Sequence, residues 1–140
     1  GKSPGRSDAL VGSIDLAATA LSLAGVPHYH GMQGHDLTPL LDAPHLNPRA
    51  SVLIEEDQVQ DIVQAGRPLR MRTLVTQAAR LTLYDGLEQG ELFDRSADPD
   101  EMHNLFGVPA AAVLQAQLTE QVAREMMAHD DLSPRPTAFA

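Results

Sequence analysis

Leu69-Arg70-Met71-Arg72-Thr73-Leu74-Val75 and Arg80-Leu81-Thr82-Leu83-Tyr84, the second closed by Asp85-Gly86, decide the fold class. Leu69, Met71, Thr73 and Val75 alternate with Arg70, Arg72 and Leu74. Leu81 and Leu83 alternate in the same way with Arg80, Thr82 and Tyr84. Side chains on a strand point to opposite faces in turn, so this period of two predicts two half-buried strands. Asp85-Gly86 and Gly90 are turn residues, and Leu92-Phe93 predicts a last short strand. Upstream, Val52-Leu53-Ile54 is a short buried-strand signal, after which Glu55-Glu56-Asp57 is expected to return the chain to solvent. Residues 58–68, ending in Gly66-Arg67-Pro68, read as a connection. The sum is a small antiparallel sheet of three to four strands.

Helical spacing flanks this sheet on both sides. From Pro109 to about Ala128, Leu114, Leu118, Val122 and Met126 recur every fourth residue, opposite Gln117, Glu120 and Arg124. Pro109 suits a first helical turn. From Ile14 to Ala24 the chain is apolar almost all round, with Ser13 as the expected N-cap, Asp15 in the first turn, Gly25 as C-cap and Pro27 as a stop. A short helix without a polar face belongs inside a larger body. His28 to Gly34 reads as a loop, with a brief helical turn around Thr38–Asp42. The class is α+β: a small antiparallel sheet packed with a long C-terminal helix, plus an N-terminal apolar helix. Three segments are expected: 1–48 as the end of a larger α/β domain, 49–128 as a subdomain, and 129–140 as a flexible tail.

Composition narrows the function. The 140 residues contain 43% hydrophobic residues, no Cys and a formal net charge of −9. Without Cys there is no disulfide, thiolate metal site or Cys nucleophile within them. An acidic chain lacking a basic stripe is not expected to bind nucleic acid. No apolar run approaches the ~20 residues that span a bilayer, and the N-terminus shows no signal-peptide core. Localisation stays open.

Few residues suggest chemistry. His28, His30, His35 and His45 lie close in sequence, but their spacing matches no standard zinc pattern, and a solvated loop is the favoured account. Glu55, Glu56 and Asp57 could bind a cation or a cationic substrate group. Arg70 and Arg72, sharing a strand face, could receive a sulfate or carboxylate in their guanidinium forks, or simply pair with acids across the strand. These five are the candidate substrate contacts. Ser13, Ser22 and Ser51 have no nucleophile elbow, and Thr19 is expected to bond back to its own helix. No catalytic residue and no metal ligand is predicted.

Four stretches, in order and covering roughly residues 5–108, resemble the C-terminal part of the sulfatase family within the alkaline phosphatase superfamily. Val11 to Pro27 is similar to the family's V-S-x-x-D-L-x-P-T-L-L-x-L-A-G-x-P. Gly31-Met32-Gln33-Gly34-His35-Asp36-Leu37-Thr38-Pro39-Leu40-Leu41 is similar to G-x-Q-G-x-S-L-x-P-L-L. Arg72-Thr73 through Leu81-Thr82-Leu83-Tyr84 resembles its R-T-x-x-x-K-L-x-x-Y hairpin. Gly90-Glu91-Leu92-Phe93-Asp94, with Asp98-Pro99-Asp100-Glu101 and Asn104-Leu105, resembles its G-E-L-Y-D-L-x-x-D-P-x-E-x-x-N-L ending. Ala18, Asp36 and Arg80 stand where the family usually has Pro, Ser and Lys.

The resemblance implies a parent that hydrolyses sulfate esters with a formylglycine, made in a C/S-x-P-S/A-R motif, and with calcium or a similar divalent cation. All of these are expected before residue 1, in an N-terminal catalytic domain that this chain would buttress while helping to wall its cleft. A phosphonate- or phosphate-ester hydrolase of the same superfamily, and a stand-alone interaction or scaffold domain, are the alternatives. Association of copies is a further expectation, since the Pro-bearing tail after His129 could reach a neighbouring subunit.

Overall fold

The computed structural model describes residues 5–58, 61 and 66–129. The interior of the 58–68 connection, the first four residues and all of the expected tail but His129 lie outside the described residues. The described chain falls into two compact units, residues 5–50 with His129, and residues 51–128.

In the second unit, β1 (Ser51–Asp57), β2 (Arg70–Thr76), β3 (Ala79–Tyr84) and β4 (Gly90–Asp94) form one antiparallel meander in the order β1-β2-β3-β4. A 3-10 turn at Pro109–Ala111 leads into the long helix, Ala112–Ala128, numbered α2 below. The register aligns Leu53, Leu74, Leu81 and Leu92 across all four strands. Leu114, Leu118 and Val122 of α2 pack with this leucine row, together with Ala79 and Ala111. Leu74, Leu81 and Leu92 are wholly buried, each contributing about 1.5–3 kcal/mol from burial alone.

The alternation predicted for the strands is present, but the helix-covered face is that of Leu74 rather than that of Thr73 and Val75. A leucine row removes more apolar area from water than one containing threonines. The other face carries Thr73 and Thr82, paired across the strands by a 2.9 Å hydroxyl–hydroxyl bond. Glu55-Glu56-Asp57 are exposed as expected, but the strand does not stop before them: β1 continues through Asp57. The register sets Glu55 opposite Arg72 and Asp57 opposite Arg70, and opposite charges across an antiparallel pair favour continued pairing.

The outer edge of β4 is closed by a side chain. Asn104 Oδ1 accepts from Leu92 N at 2.9 Å and its Nδ2 donates to Gly90 O at 2.9 Å. Leu105 N donates to Leu92 O at 2.7 Å. Gly90 is required here, because a Cβ on it would overlap the Phe106 ring.

In the first unit, helix α1 spans Asp15–Leu23. Gly25, at φ +67°, ends it as predicted: Gly25 N donates to Ser22 O and Val26 N to Leu21 O, the paired bonds of a Schellman motif. Its start differs from the prediction. Ile14, not Ser13, is the N-cap residue, with no side-chain cap bond. Asp15 instead reaches back, accepting from Gly12 N at 2.7 Å. A carboxylate at this helix end also meets the positive pole of the helix dipole. A 3-10 turn at Thr38–Leu41 follows, and Asp36 Oδ1 accepts from Thr38 N at 2.8 Å.

Candidate functional site

Of the five residues singled out in the sequence, the sheet brings three into one cluster. Arg72 Nη1 donates to Asp57 Oδ1 at 2.8 Å. Arg72 Nε lies 2.8 Å from Glu55 Oε1, an ion-pair distance without hydrogen-bond alignment. The hydrogen bond from Arg72 holds the Asp57 carboxyl below the usual carboxylate range, and the same bond, reinforced by Glu55, raises Arg72 above its ordinary value. Glu56 points to the opposite face and accepts a long 3.4 Å bond from Gln58. Arg70, exposed at the start of β2, lies opposite Asp57 and its charge helps to lower the Asp57 pKa after the Arg72 bond, and its carbonyl accepts from Asp85 N at 2.9 Å.

Arg70 and Arg72 border an open cleft of about 360 Å³, lined also by Leu83, Tyr84, Asp85, Val122 and Met126. Its apolar wall comes from α2 and β3, and its charge from Arg70 and Arg72 of β2 and from Asp85 just after β3. Such a cleft has room for the apolar flank of an anionic group, with Arg70 as the exposed cation at its border.

The opposite face of the sheet holds a second network, which sequence reasoning missed. Arg80 Nη1 donates to Glu91 Oε2 at 2.8 Å and to Thr82 Oγ1 at 3.0 Å, and Nε donates to Glu101 Oε2 at 2.7 Å. Its guanidinium sits 4.7 Å from the centre of the Phe93 ring, a cation–π distance. Arg95 reaches the other oxygen of Glu101 at 3.4 Å. Burial would lower the Arg80 pKa, but Glu91 and Glu101 outweigh it and raise it. Burial, then the bond to Glu91, raises Tyr84. Glu101 has φ +54°, a conformation uncommon for a non-glycine residue. Its two arginine contacts hold it there. The loop before it is tied by Asp98: Glu101 N donates to Asp98 O at 3.1 Å and His103 N to Asp98 Oδ2 at 2.7 Å, and the backbone bonds of His103 and Met102 lower the Asp98 pKa.

The third constellation lies in the first unit. Asp15 is wholly buried and pairs with Arg49, whose side chain is 11% exposed. Asp15 also accepts from Gly12 N, and from His35 N at 2.8 Å. Burial alone would raise the Asp15 pKa, yet these bonds and the Arg49 charge together hold it below the ordinary value. Gly34 lets the two segments meet, because a Cβ there would collide with the Ile14 carbonyl. Ser22 Oγ lies 3.0 Å from His28 Nε2, which is also 3.0 Å from Ala18 O. Asp36 bonds Thr38 and Ser22 instead of His28, and the Thr38 backbone bond lowers its pKa. These three side chains therefore lack the geometry in which a carboxylate orients the histidine of an activated serine. The signal for this constellation was Asp15, Thr19 and Ser22 at positions i, i+4 and i+7, a polar stripe within an otherwise apolar helix. Arg49 had no local signal, being distant in sequence.

Residues 2–128 match the family model described as N-sulphoglucosamine sulphohydrolase, C-terminal. The chain belongs to this sulfatase C-terminal family. It is similar to arylsulfatase K of Gallus gallus, 33% identical over 104 residues, covering 69% of this chain and 19% of the relative. It is also similar to N-acetylglucosamine-6-O-sulfatase of Bacteroides thetaiotaomicron, 27% identical over 134 residues, covering 95% and 24%. Among solved structures, one in complex with its substrate D-glucosamine-2-N,6-O-disulfate matches at TM-score 0.69 and 26% identity, covering 89% of this chain and 25% of that one. The phosphonate monoester hydrolase of Silicibacter pomeroyi matches at TM-score 0.75 and 25% identity, covering 89% and 27%. The sulfatase C-terminal region described here thus spans about a fifth to a quarter of the curated relatives' lengths. Asn104-Leu105, Asp98 with Glu101, and the Arg80 pairings explain its closing motif as a set of fasteners.

Proposed function

We propose that this chain is the non-catalytic C-terminal part of a sulfate-ester hydrolase, serving to brace an N-terminal catalytic domain and to shape one side of its cleft. The observation that carries this is the family match over residues 2–128 together with the small share of each relative that it covers. The saturation of its charged clusters supports the non-catalytic role: Arg49, Arg72 and Arg80 are each engaged by carboxylates. The expected segments, 1–48, 49–128 and 129–140, belong to this reading.

The divalent cation and formylglycine of such a hydrolase do not fit the residues at hand. Among the described residues no three His, Cys, Asp or Glu side chains converge to hold a metal ion. Both groups are therefore assigned to the preceding catalytic domain. Of the five candidate contacts, Arg70 is the one we assign to an anionic substrate edge, because Glu55, Asp57 and Arg72 engage one another.

The test is turnover of an aryl sulfate by the full-length parent and by residues 1–140. Turnover by the parent alone is expected; turnover by the purified chain would overturn the reading. The phosphonate monoester hydrolase likeness favours a second reading, in which the parent cleaves phosphonate monoesters. A phenyl phosphonate ester assayed beside the sulfate decides between the two.

A further inference from the structure

Asp85-Gly86 is the one place in the sequence where Asp or Asn precedes Gly. The carboxyl carbon of any aspartate can close a five-membered ring with the amide nitrogen of the next residue. A side chain on that next residue hinders the closure, and glycine has none. The connection between β3 and β4 displays this pair openly. Asp85 and Gly86 are the central residues of a turn in which Leu87 N donates to Tyr84 O at 3.4 Å. Gly86 has φ +67°, a left-handed conformation that glycine adopts without strain. The Asp85 side chain is 61% exposed, so water reaches it. Its backbone N donates to Arg70 O at 2.9 Å, which fixes the residue at the border of the cleft it shares with Arg70.

Arg67 sets this turn apart from a plain exposed Asp-Gly pair. Its Nη2 donates to Asp85 O, and its Nη1 lies 3.5 Å from Asp85 Oδ2. The first of these oxygens belongs to the peptide bond whose nitrogen is Gly86 N. As that nitrogen gives up its proton, negative charge collects on Asp85 O, where the guanidinium already sits. The second oxygen takes charge when the nitrogen adds to the carboxyl carbon. Gly86 is needed for this arrangement, because a Cβ there would overlap the Arg67 guanidinium. The ion pair is exposed at both ends and holds the carboxylate only weakly.

We propose that Asp85-Gly86 is a self-modification site, at which Arg67 promotes conversion of Asp85 to isoaspartate. Gly86 N loses its proton and bonds to Asp85 Cγ. The carboxyl hydroxyl leaves with that proton as water, and a cyclic imide remains. One water then adds to either imide carbonyl and breaks its bond to Gly86 N. Opening at Cγ restores aspartate, whereas opening at the backbone carbon gives isoaspartate, whose chain runs through Cβ. One water leaves and one returns, so no oxidant, reductant or second substrate is consumed. The product lengthens the turn by one backbone atom and leaves its carboxylate directly on Cα. The charge facing Arg70 across the cleft border is thereby moved as the molecule ages, whichever ester the parent hydrolyses.

Incubation of residues 1–140 in water enriched in oxygen-18 at mildly acidic to neutral pH tests the proposal. Each opening of the imide leaves one heavy oxygen on residue 85. Digestion with trypsin in ordinary water then releases Leu81–Arg95, and fragmentation of that peptide locates the label. Uptake at Asp85 is expected to lead that at every other aspartate, with part of the labelled product accepted by an isoaspartyl carboxyl methyltransferase. Arg67→Ala should slow the uptake about tenfold, short of the ~100-fold cost of losing a buried oxyanion donor because this site is in water. In urea the two proteins should take up label at the same rate, since the Arg67 contacts belong to the folded turn. No uptake at Asp85 in the folded protein, or uptake matched at other aspartates, would overturn the site. Equal folded rates with and without Arg67, or a slowing that persists in urea, would overturn the role given to Arg67.

Discussion

The sheet-and-helix unit and the α1 unit hold themselves together by opposite means. Residues 51–128 bury a leucine row under α2 and leave their charges to pair at its margins. Residues 5–50 bury an aspartate and an arginine and leave leucines in water. The first arrangement closes an apolar core within the unit. In the second, polar bonds fix the shape of the helix and its loops while the aliphatic face stays exposed. The lesson is that burial of a polar group and exposure of an apolar one are informative when they occur on the same helix.

Substitutions can break this contrast. The largest effect is expected from Leu81→Ala, which opens a cavity in the wholly buried leucine row and should cost about 2–5 kcal/mol. A urea titration followed by far-ultraviolet dichroism should show the loss in the sheet unit. Next comes Asp15→Ala, which leaves Arg49 largely buried without its counter-charge. About 3 kcal/mol is expected, the low end for a broken buried pair because Arg49 keeps some contact with water. Exchange of the Gly12 and His35 amides should accelerate while the leucine row stays protected; acceleration in β3 as well would mean that the contrast between the units is false.

Acid should separate the units along the same line. The folded pKa of Asp15 lies below its ordinary value of 3.8, so the unfolded chain binds a proton more readily than the folded one. Its contribution is complete above the ordinary value and is lost as pH falls through the depressed folded value. A pH series of His35 amide exchange should therefore show protection intact at pH 5 and failing only in strong acid. Failure already at pH 5 would contradict the Arg49 pairing.

Smaller effects refine the picture. Asn104→Ala removes the group that satisfies Leu92 N and Gly90 O, with an expected loss of about 1–3 kcal/mol. Asn104→Asp keeps the acceptor for Leu92 N but loses the donor to Gly90, and should fall between. The smallest change is expected from Leu16→Ser in residues 1–140. An exposed side chain costs within about 0.5 kcal/mol on replacement, so a melting temperature that drops markedly would mean that Leu16 is already covered.

The legible part of the fold was what local periodicity encodes. Strand alternation, the Gly25 helix stop, Pro109 ahead of α2 and the four-residue spacing of Leu118 and Val122 are all properties of neighbours in sequence. The covered face of the sheet was not legible from β2 alone. Thr73 and Val75 alternate as regularly as Leu74, and only the register with Leu53, Leu81 and Leu92 decides which side α2 covers. β1 read as ending at Ile54 because three consecutive acids suggest solvent, whereas Arg72 on the next strand supplies a cross-strand partner. Arg49 could not be matched to Asp15 by any spacing rule, since their contact spans 34 positions. Arg80 was noted only as a departure from the family's Lys, yet its planar fork is what lets one residue hold Glu91, Glu101 and Thr82 while lying over Phe93.

The side-chain amide of Asn104 has one further consequence. It carries a donor and an acceptor in the arrangement of a peptide group, so β4 ends against something that behaves as one link of a fifth strand. An edge dressed in this way has Leu92 N, Leu92 O and Gly90 O already occupied, and so closed to pairing with another sheet. A single asparagine thus acts against fibril growth at that border, and Asn104→Ala should shorten the lag of aggregation well before it unfolds the domain.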